Sequence, residues 1–466
     1  MASRSLIVGA LALSLGLAGC DGGGDPPPLD GGDLDAGRRD GSLPTNPWSS
    51  ETIDTGNVGM QISVAVGPGD VGRVAYFATQ AYDDGDCTEI PDNPPRRQRW
   101  QIRYAEEGAS GWTAEDVLAP LYLGVPVGLQ LHTAPGGTAT IATMIGDPVP
   151  LLLFCGANDV GILERGGGGG WTPTTIVTSS GQAATGEPAS DFGEVVGYWT
   201  SLAWDSGGRM GFAYKDVHAG SLQGDDFKRA DLELALGNGG GFQNIPVDWG
   251  EGAGNYNAIT FDGQDRPVIA YHVPTEGIIT SRHGIWATRT SDGGATWERL
   301  QLHIGGTAER IAVTNDPRTG EPIFAYYSGG EALPYLARLT DPTQFEDLAN
   351  GWEKERLGDP RFDEGYSPSI AFDPEGNLGI AYYRCVRVNR GVGSCNPNDD
   401  AVVFAWDDAG TWVTEVVDEG GEGHCGMYPS LAFDSTGRAI IGYQCVEQVG
   451  GEFEFQTKIA TREPLL

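Results

Sequence analysis

Positive charge is scarce in this chain: 29 lysines and arginines stand against 64 aspartates and glutamates, a formal charge of −35 over 466 residues. So acidic a surface repels phosphate backbones and anionic headgroups, which excludes nucleic acid as a partner and direct electrostatic adsorption to a membrane. Helix-type apolar periodicity is scarce too, and the apolar run at residues 6–17 is too short to span a bilayer. The six histidines show no His-x-x-x-His or Cys/His spacing, so neither a zinc site nor any other metal or cofactor is expected. The glycine run at residues 166–170 lacks the Lys and Ser/Thr of a phosphate-binding loop.

Glycine is abundant instead, at 72 residues, and with it comes a repeat. Ser-Ile-Ala-Phe-Asp-Pro-Glu-Gly-Asn-Leu-Gly-Ile-Ala-Tyr at residues 369–382 returns in near-identical form at 430–443 and at 201–214. Alternating small and large apolar residues read as a half-buried strand, Asp-x-x-Gly as turn chemistry, and the second apolar run as a strand ending on Tyr. Each such turn offers one carboxylate without the ligand series of an EF-hand, so Asp is read as a turn residue rather than a calcium ligand. Aligning the turn Asp with the closing Tyr adds copies ending at Tyr76, Tyr271 and Tyr326, and a weak copy at residues 134–143, for seven hairpins. A third strand and a fourth opened by Trp112, Trp171, Phe242, Trp297, Trp352 or Trp412 follow six of them.

This pattern predicts an all-β fold, a seven-bladed β-propeller of four-stranded antiparallel blades over residues 46–466. The seventh hairpin lacks a fourth strand after it, but Trp48, Glu51, Asp54 and Gly56 match the spacing of Trp412, Glu415, Asp418 and Gly420. The N-terminal strand is therefore expected to complete the last blade, which leaves no open edge.

Thr290-Ser-Asp-Gly-Gly-Ala-Thr-Trp297 resembles the Asp box of sialidases and related BNR-repeat propellers, with Thr290, Asp292, Gly294, Thr296 and Trp297 at the matching positions. In that family the motif lies opposite the catalytic centre, so the resemblance implies a fold and a structural turn. The arginine triad and the Tyr/Glu pair of sialidases have no recognisable counterparts here, and no catalytic residue is assigned.

At the N-terminus Arg4, the apolar run at 6–17 and Leu17-Ala18-Gly19-Cys20 resemble a bacterial lipoprotein signal with its lipobox. The resemblance implies cleavage before Cys20 and acylation of its thiol, hence a lipid anchor in the cell envelope with the choice of membrane open. Buried methylenes at ~0.8 kcal/mol each would hold the protein without a transmembrane helix. Residues 21–45, rich in Gly, Asp and Pro, read as a disordered tether with a mean reach of about 25–30 Å. Six cysteines remain in an oxidising compartment. Cys385 with Cys395 and Cys425 with Cys445 are close in the repeat, leaving Cys87 with Cys155 in corresponding loops of neighbouring blades.

The uniform Asp-x-x-Gly turns occupy one face of such a ring, and the long, irregular connections occupy the other, around the channel mouth. Binding residues are expected there. His272, Glu309, Arg310, Asp363, Tyr366, Arg384 and Tyr428 flank the strand ends at that face and are the candidate ligand residues. Aromatics, His, Arg and carboxylates suit a glycan or an envelope protein. A binding or scaffold lipoprotein is the first expectation and a sialidase-like glycoside hydrolase or lyase the alternative.

Overall fold

The computed structural model describes residues 47–81, 98–117, 127–146, 158–178, 195–217, 231–249, 252–274, 282–307, 310–385, 387–389, 392–395, 400–408, 410–419, 423–449 and 452–464. The signal, Cys20, the tether, Cys87, Cys155 and Glu309 lie outside the described residues.

The chain is a seven-bladed β-propeller of four-stranded antiparallel blades. The innermost strands are Val58–Gly67, Leu129–Thr133, Val195–Trp204, Asn255–Phe261, Ile311–Asn315, Glu364–Phe372 and His424–Phe433, one for each of blades one to seven. A parallel bridge from Val195 to Asn158 joins blades two and three. Blade six carries an additional small hairpin, Arg387–Asn389 with Val392–Cys395, between its second and third strands.

The last blade runs His424–Phe433, Ala439–Val449, Glu452–Arg462 and then Trp48–Gly56 from the other end of the chain. Trp48 pairs with Arg462 and Gly56 with Phe455, so the ring is closed by hydrogen bonds between segments some 400 residues apart in sequence. Trp48 is 7% exposed, meets Phe404 edge-on at 5.2 Å and donates its indole N–H to Glu415 Oε2 at 2.9 Å.

Between blades the core is built from alternate positions of facing sheets, as the two-residue period of a strand requires. Tyr76, Tyr214, Tyr271, Tyr326, Tyr382 and Tyr443 of the second strands are all fully buried, and each strand runs on past the tyrosine at which the sequence places its end. Three of them are fixed by the preceding blade's outermost strand: Tyr76 donates to Asp54 Oδ2 at 2.6 Å, Tyr271 to Asp248 Oδ2 at 2.6 Å and Tyr443 to Asp418 Oδ2 at 2.7 Å. Each carboxylate also meets a cation, Arg103, Arg282 and Lys458 respectively, which offsets part of the cost of its burial.

At the turn face Asp205, Asp262, Asp373 and Asp434 each accept two backbone amides of their own turn. In the turn at 290–297 Asp292 Oδ1 accepts the Thr296 amide at 2.9 Å and its Oδ2 the Thr296 hydroxyl at 2.7 Å. These bonds, led by the Thr296 hydroxyl, hold the Asp292 carboxyl at about 2. Gly293 and Gly294 take φ of 74° and 94°, and Trp297 donates to Pro246 O of the neighbouring blade at 3.0 Å. Disulfides join Cys385 to Cys395 and Cys425 to Cys445.

Candidate binding site at the channel mouth

Five innermost strands enter their sheets through the same irregularity. Gln61, Trp199, Tyr256, Ser367 and Tyr428 have φ between 47° and 53°, left-handed values that cost a non-glycine residue on the order of 1 kcal/mol or more. Each follows by two residues a glycine that is itself left-handed: Gly59, Gly197, Gly254, Gly365 and Gly426. A Cβ at Gly426 would stand 2.3 Å from Val402 N and one at Gly365 2.5 Å from Pro334 N, so these glycines let the strand pass against the neighbouring backbone. The strand pairing slips there in all five blades. The result is a collar around the mouth.

Below the collar, the serines of the repeat tie the inner strands together. Ser63 Oγ accepts Leu131 N, Ser369 Oγ accepts Leu431 N and Ser430 Oγ accepts Val64 N, at 2.9 to 3.0 Å, each from the next blade round the ring. These hydroxyls are committed to the scaffold. Arg310 precedes the inner strand of blade five, yet its guanidinium donates to Pro429 O of blade seven at 3.2 Å and to Ile62 O of blade one at 3.0 Å. It spans the channel at the level of the collar and gives the mouth a floor.

Two groups of side chains stand above this floor. On the side of blades five to seven, Tyr327 donates to Asp363 Oδ1 at 2.9 Å, lies 3.0 Å from the Tyr366 hydroxyl and stacks on the Tyr366 ring at 4.2 Å. Tyr383 and His424 Nδ1 both meet the buried Asp400 Oδ2 at 2.5 Å, and the His424 side chain is 36% exposed. Arg384 packs over Phe362 at 4.8 Å and approaches Glu419 at 3.7 Å. Burial and the adjacent acidic and phenolic groups push the Tyr327 hydroxyl far up, so it is a neutral donor.

On the side of blades three and four, Lys215 is fully buried, with Nζ donating to Gly252 O at 3.0 Å and to Asn255 Oδ1, and lying 5.4 Å from the centre of the Trp199 ring. Trp199 meets Tyr256 edge-on at 5.1 Å, and Tyr256 lies parallel to His272 at 6.1 Å. The opposite face of the same sheet carries an acidic group, Asp216 on the strand of Lys215 and Asp231 and Glu233 on the strand paired with it, all buried. Burial, with Asp216 and Asp231 adding to it, pushes Glu233 up to about 9, so it is protonated at neutral pH.

Of the candidates, Arg310, Asp363, Tyr366, Arg384, Tyr428 and His272 all stand at the mouth, split between its two sides. Asp400 was not among them, nor was the left-handed backbone of the collar, although Tyr428 belongs to it. The collar has a legible signal, a Gly four residues before the repeat's small Ser or Ala: Gly59 to Ser63, Gly197 to Ser201, Gly254 to Ala258, Gly365 to Ser369 and Gly426 to Ser430. The large exposed apolar residues Trp249, Ile304 and Phe453 also lie at mouth-side strand ends. A groove of about 580 Å³ opens instead near the turn face, between blades six and seven, but its Arg462 is already engaged by Glu415.

Among the described residues, the groupings of potential metal ligands are Cys385, Cys395 and Asp400, and Asp418, Cys425 and Cys445. Their cysteines are disulfide-bonded, which removes the thiolates a metal would need.

The chain matches no protein-family model and no curated protein. Among solved structures it is similar to a protein of unknown function from Dyadobacter fermentans, at 12% identity and a TM-score of 0.46, over 89% of this chain and 99% of that one. It is also similar to an ulvan lyase of a new polysaccharide lyase family, at 13% identity and 0.46, over 87% and 95%. A Trypanosoma rangeli sialidase in complex with sialic acid is 10% identical with a TM-score of 0.44, over 85% of this chain and 59% of that one.

Proposed function

We propose that this chain is a lipid-anchored lipoprotein of the cell envelope whose propeller is a binding or scaffold module for carbohydrate or protein. The anchoring half of this reading rests on Arg4, the apolar run at 6–17 and the Leu-Ala-Gly-Cys20 sequence. The binding half rests above all on the aromatic rim, with Trp199 and Tyr256 on one side and the stacked Tyr327 and Tyr366 on the other, over a channel that Arg310 crosses. Aromatic faces beside hydrogen-bonding groups suit sugar rings and peptide side chains alike.

Cys20→Ser should move the protein out of the membrane fraction or stall its processing; full membrane partitioning of that variant sinks the anchor. A glycan array, run beside fluorogenic glycosides, tests the module.

A second reading, a glycoside hydrolase or lyase at the mouth, is favoured by Tyr383, Asp400 and His424. An imidazole held through Nδ1 by a buried carboxylate, with its side chain 36% exposed, is an arrangement for proton transfer. Turnover that survives purification and disappears in His424→Ala would replace the binding reading with this one.

A further inference from the structure

His272 stands out at the mouth because, among the described residues, neither of its ring nitrogens has a hydrogen-bond partner, although the residue is only 5% exposed. Buried polar atoms are almost always paired, and one left unpaired costs about 1–3 kcal/mol. The rings around it do not help: Tyr256 lies near-parallel to it at 6.1 Å and His283 meets it at 5.8 Å with 62° between ring planes. We propose that this corner of the mouth, between blades three and four, is a subsite for one uncharged saccharide ring, with His272 hydrogen-bonding its hydroxyls and Trp199 and Tyr256 packing against it. The proposal rests on the binding reading above and narrows it to a place and a ligand class.

The ligand class follows from the donors and acceptors. Burial, reinforced by His283 and Lys215, pushes His272 down to about 3, so near neutral pH it presents one N–H and one lone pair. A hydroxyl donates and accepts, and neighbouring hydroxyls on a sugar ring can answer both nitrogens. A carboxylate would answer only the N–H and would set an anion against the lone pair. The net charge of −35 further disfavours polyanions. A metal ion does not fit: the nitrogens of His272, His283 and His303 do not converge on one point, and His303 Nε2 lies 3.1 Å from Ser328 Oγ.

Trp199 and Tyr256 belong to the collar, at φ of 52° and 51°, which fixes where their rings stand. Their rings meet beside His272, and the Lys215 ammonium is turned onto Gly252 O and Asn255 Oδ1 while lying over Trp199. An aromatic surface next to a buried donor–acceptor pair is the complement of a sugar, with its apolar C–H face and its hydroxyl edge.

The test is saturation-transfer NMR on the purified full chain with methyl β-glucoside, methyl β-galactoside and methyl β-glucuronide, beside a glycan array. Transfer to a neutral glycoside is expected in the wild type, with a loss of roughly tenfold in affinity in His272→Leu. Partial recovery is expected in His272→Gln, which restores a donor and an acceptor, and no change in Arg318→Gln on the turn face, where that side chain is exposed. His272→Leu removes an unpaired polar group from a buried place, so its melting should match the wild type. No transfer from any of the three glycosides, as when only a buried water serves His272, overturns the subsite. A glucuronide preferred over both neutral sugars overturns the ligand class. Array binding undiminished in His272→Leu overturns the corner but leaves the propeller a glycan-binding module, whereas equal losses of transfer in His272→Leu and Arg318→Gln show that the corner is not the site.

Discussion

The two faces of the ring handle polar groups in opposite ways. At the turn face, partners are close in sequence and repeat: Asp262 accepts the amides of Gln264 and Arg266, Asp434 those of Thr436 and Arg438, all at 2.9 to 3.0 Å. Links between blades repeat as well, Ser206 to Asp265 and Ser435 to Asp70. At the mouth, charges are buried, the strand backbone is left-handed, a histidine has no partner among the described residues, and Trp249 and Ile304 are 50% and 77% exposed. One end is arranged for stability; the other retains groups that cost stability, which is where a recognition surface is expected.

The largest test of this contrast is the closure that holds both faces in one ring. Deleting residues 46–55 removes the strand paired to Glu452–Arg462 and the buried Trp48, and should destabilise the domain by roughly 5 kcal/mol or more. Deleting residues 21–45 should leave melting nearly unchanged. Equal, small shifts in circular-dichroism melts of the two deletions would refute the closing role.

A smaller effect separates the faces directly. Asp434→Ala strips two amides and the Arg438 Nε of their acceptor, and should cost about 2–3 kcal/mol in urea denaturation while leaving ligand binding intact. A loss of binding at unchanged stability would assign function to the wrong face.

The smallest effect has the opposite sign. Glu233 titrates near 9 in the folded protein and near 4.5 unfolded, so the folded state holds the extra proton between those values. Its contribution to stability is complete at low pH and is lost as pH rises from about 4.5 towards 9. Glu233→Gln removes that loss and should stabilise by on the order of 2 kcal/mol at pH 8, with the gain vanishing near pH 4. A variant that melts lower than wild type at pH 8 would show that the ionised carboxylate is needed.

Much of this was legible in the residues. Five of the seven hairpins were readable because Asp, Gly and Tyr act within a span of about ten positions; the first has Gly67 in place of the Asp, and the copy at 134–143 has neither Asp nor Tyr. The spacing of Trp48 and Asp54, like that of Trp412 and Asp418, marked not only a strand but a shared contact, since both aspartates accept a hairpin Tyr of the following blade. The collar left a trace in Gly59, Gly197, Gly254, Gly365 and Gly426, visible only once the serines of the repeat are used as a ruler. Nothing around His272 in the sequence distinguishes it from a histidine with partners.

By itself, then, the sequence determined the repeat, the strand order and the joining of the two ends, because side-chain alternation and turn chemistry operate between near neighbours. Tertiary structure alone decided what the mouth is made of. Arg310 reaches a carbonyl 248 positions away, Lys215 finds acceptors on the next blade, and His272 finds none among the described residues. These outcomes depend on which strand ends the ring brings together and how closely they pack, which no local pattern records.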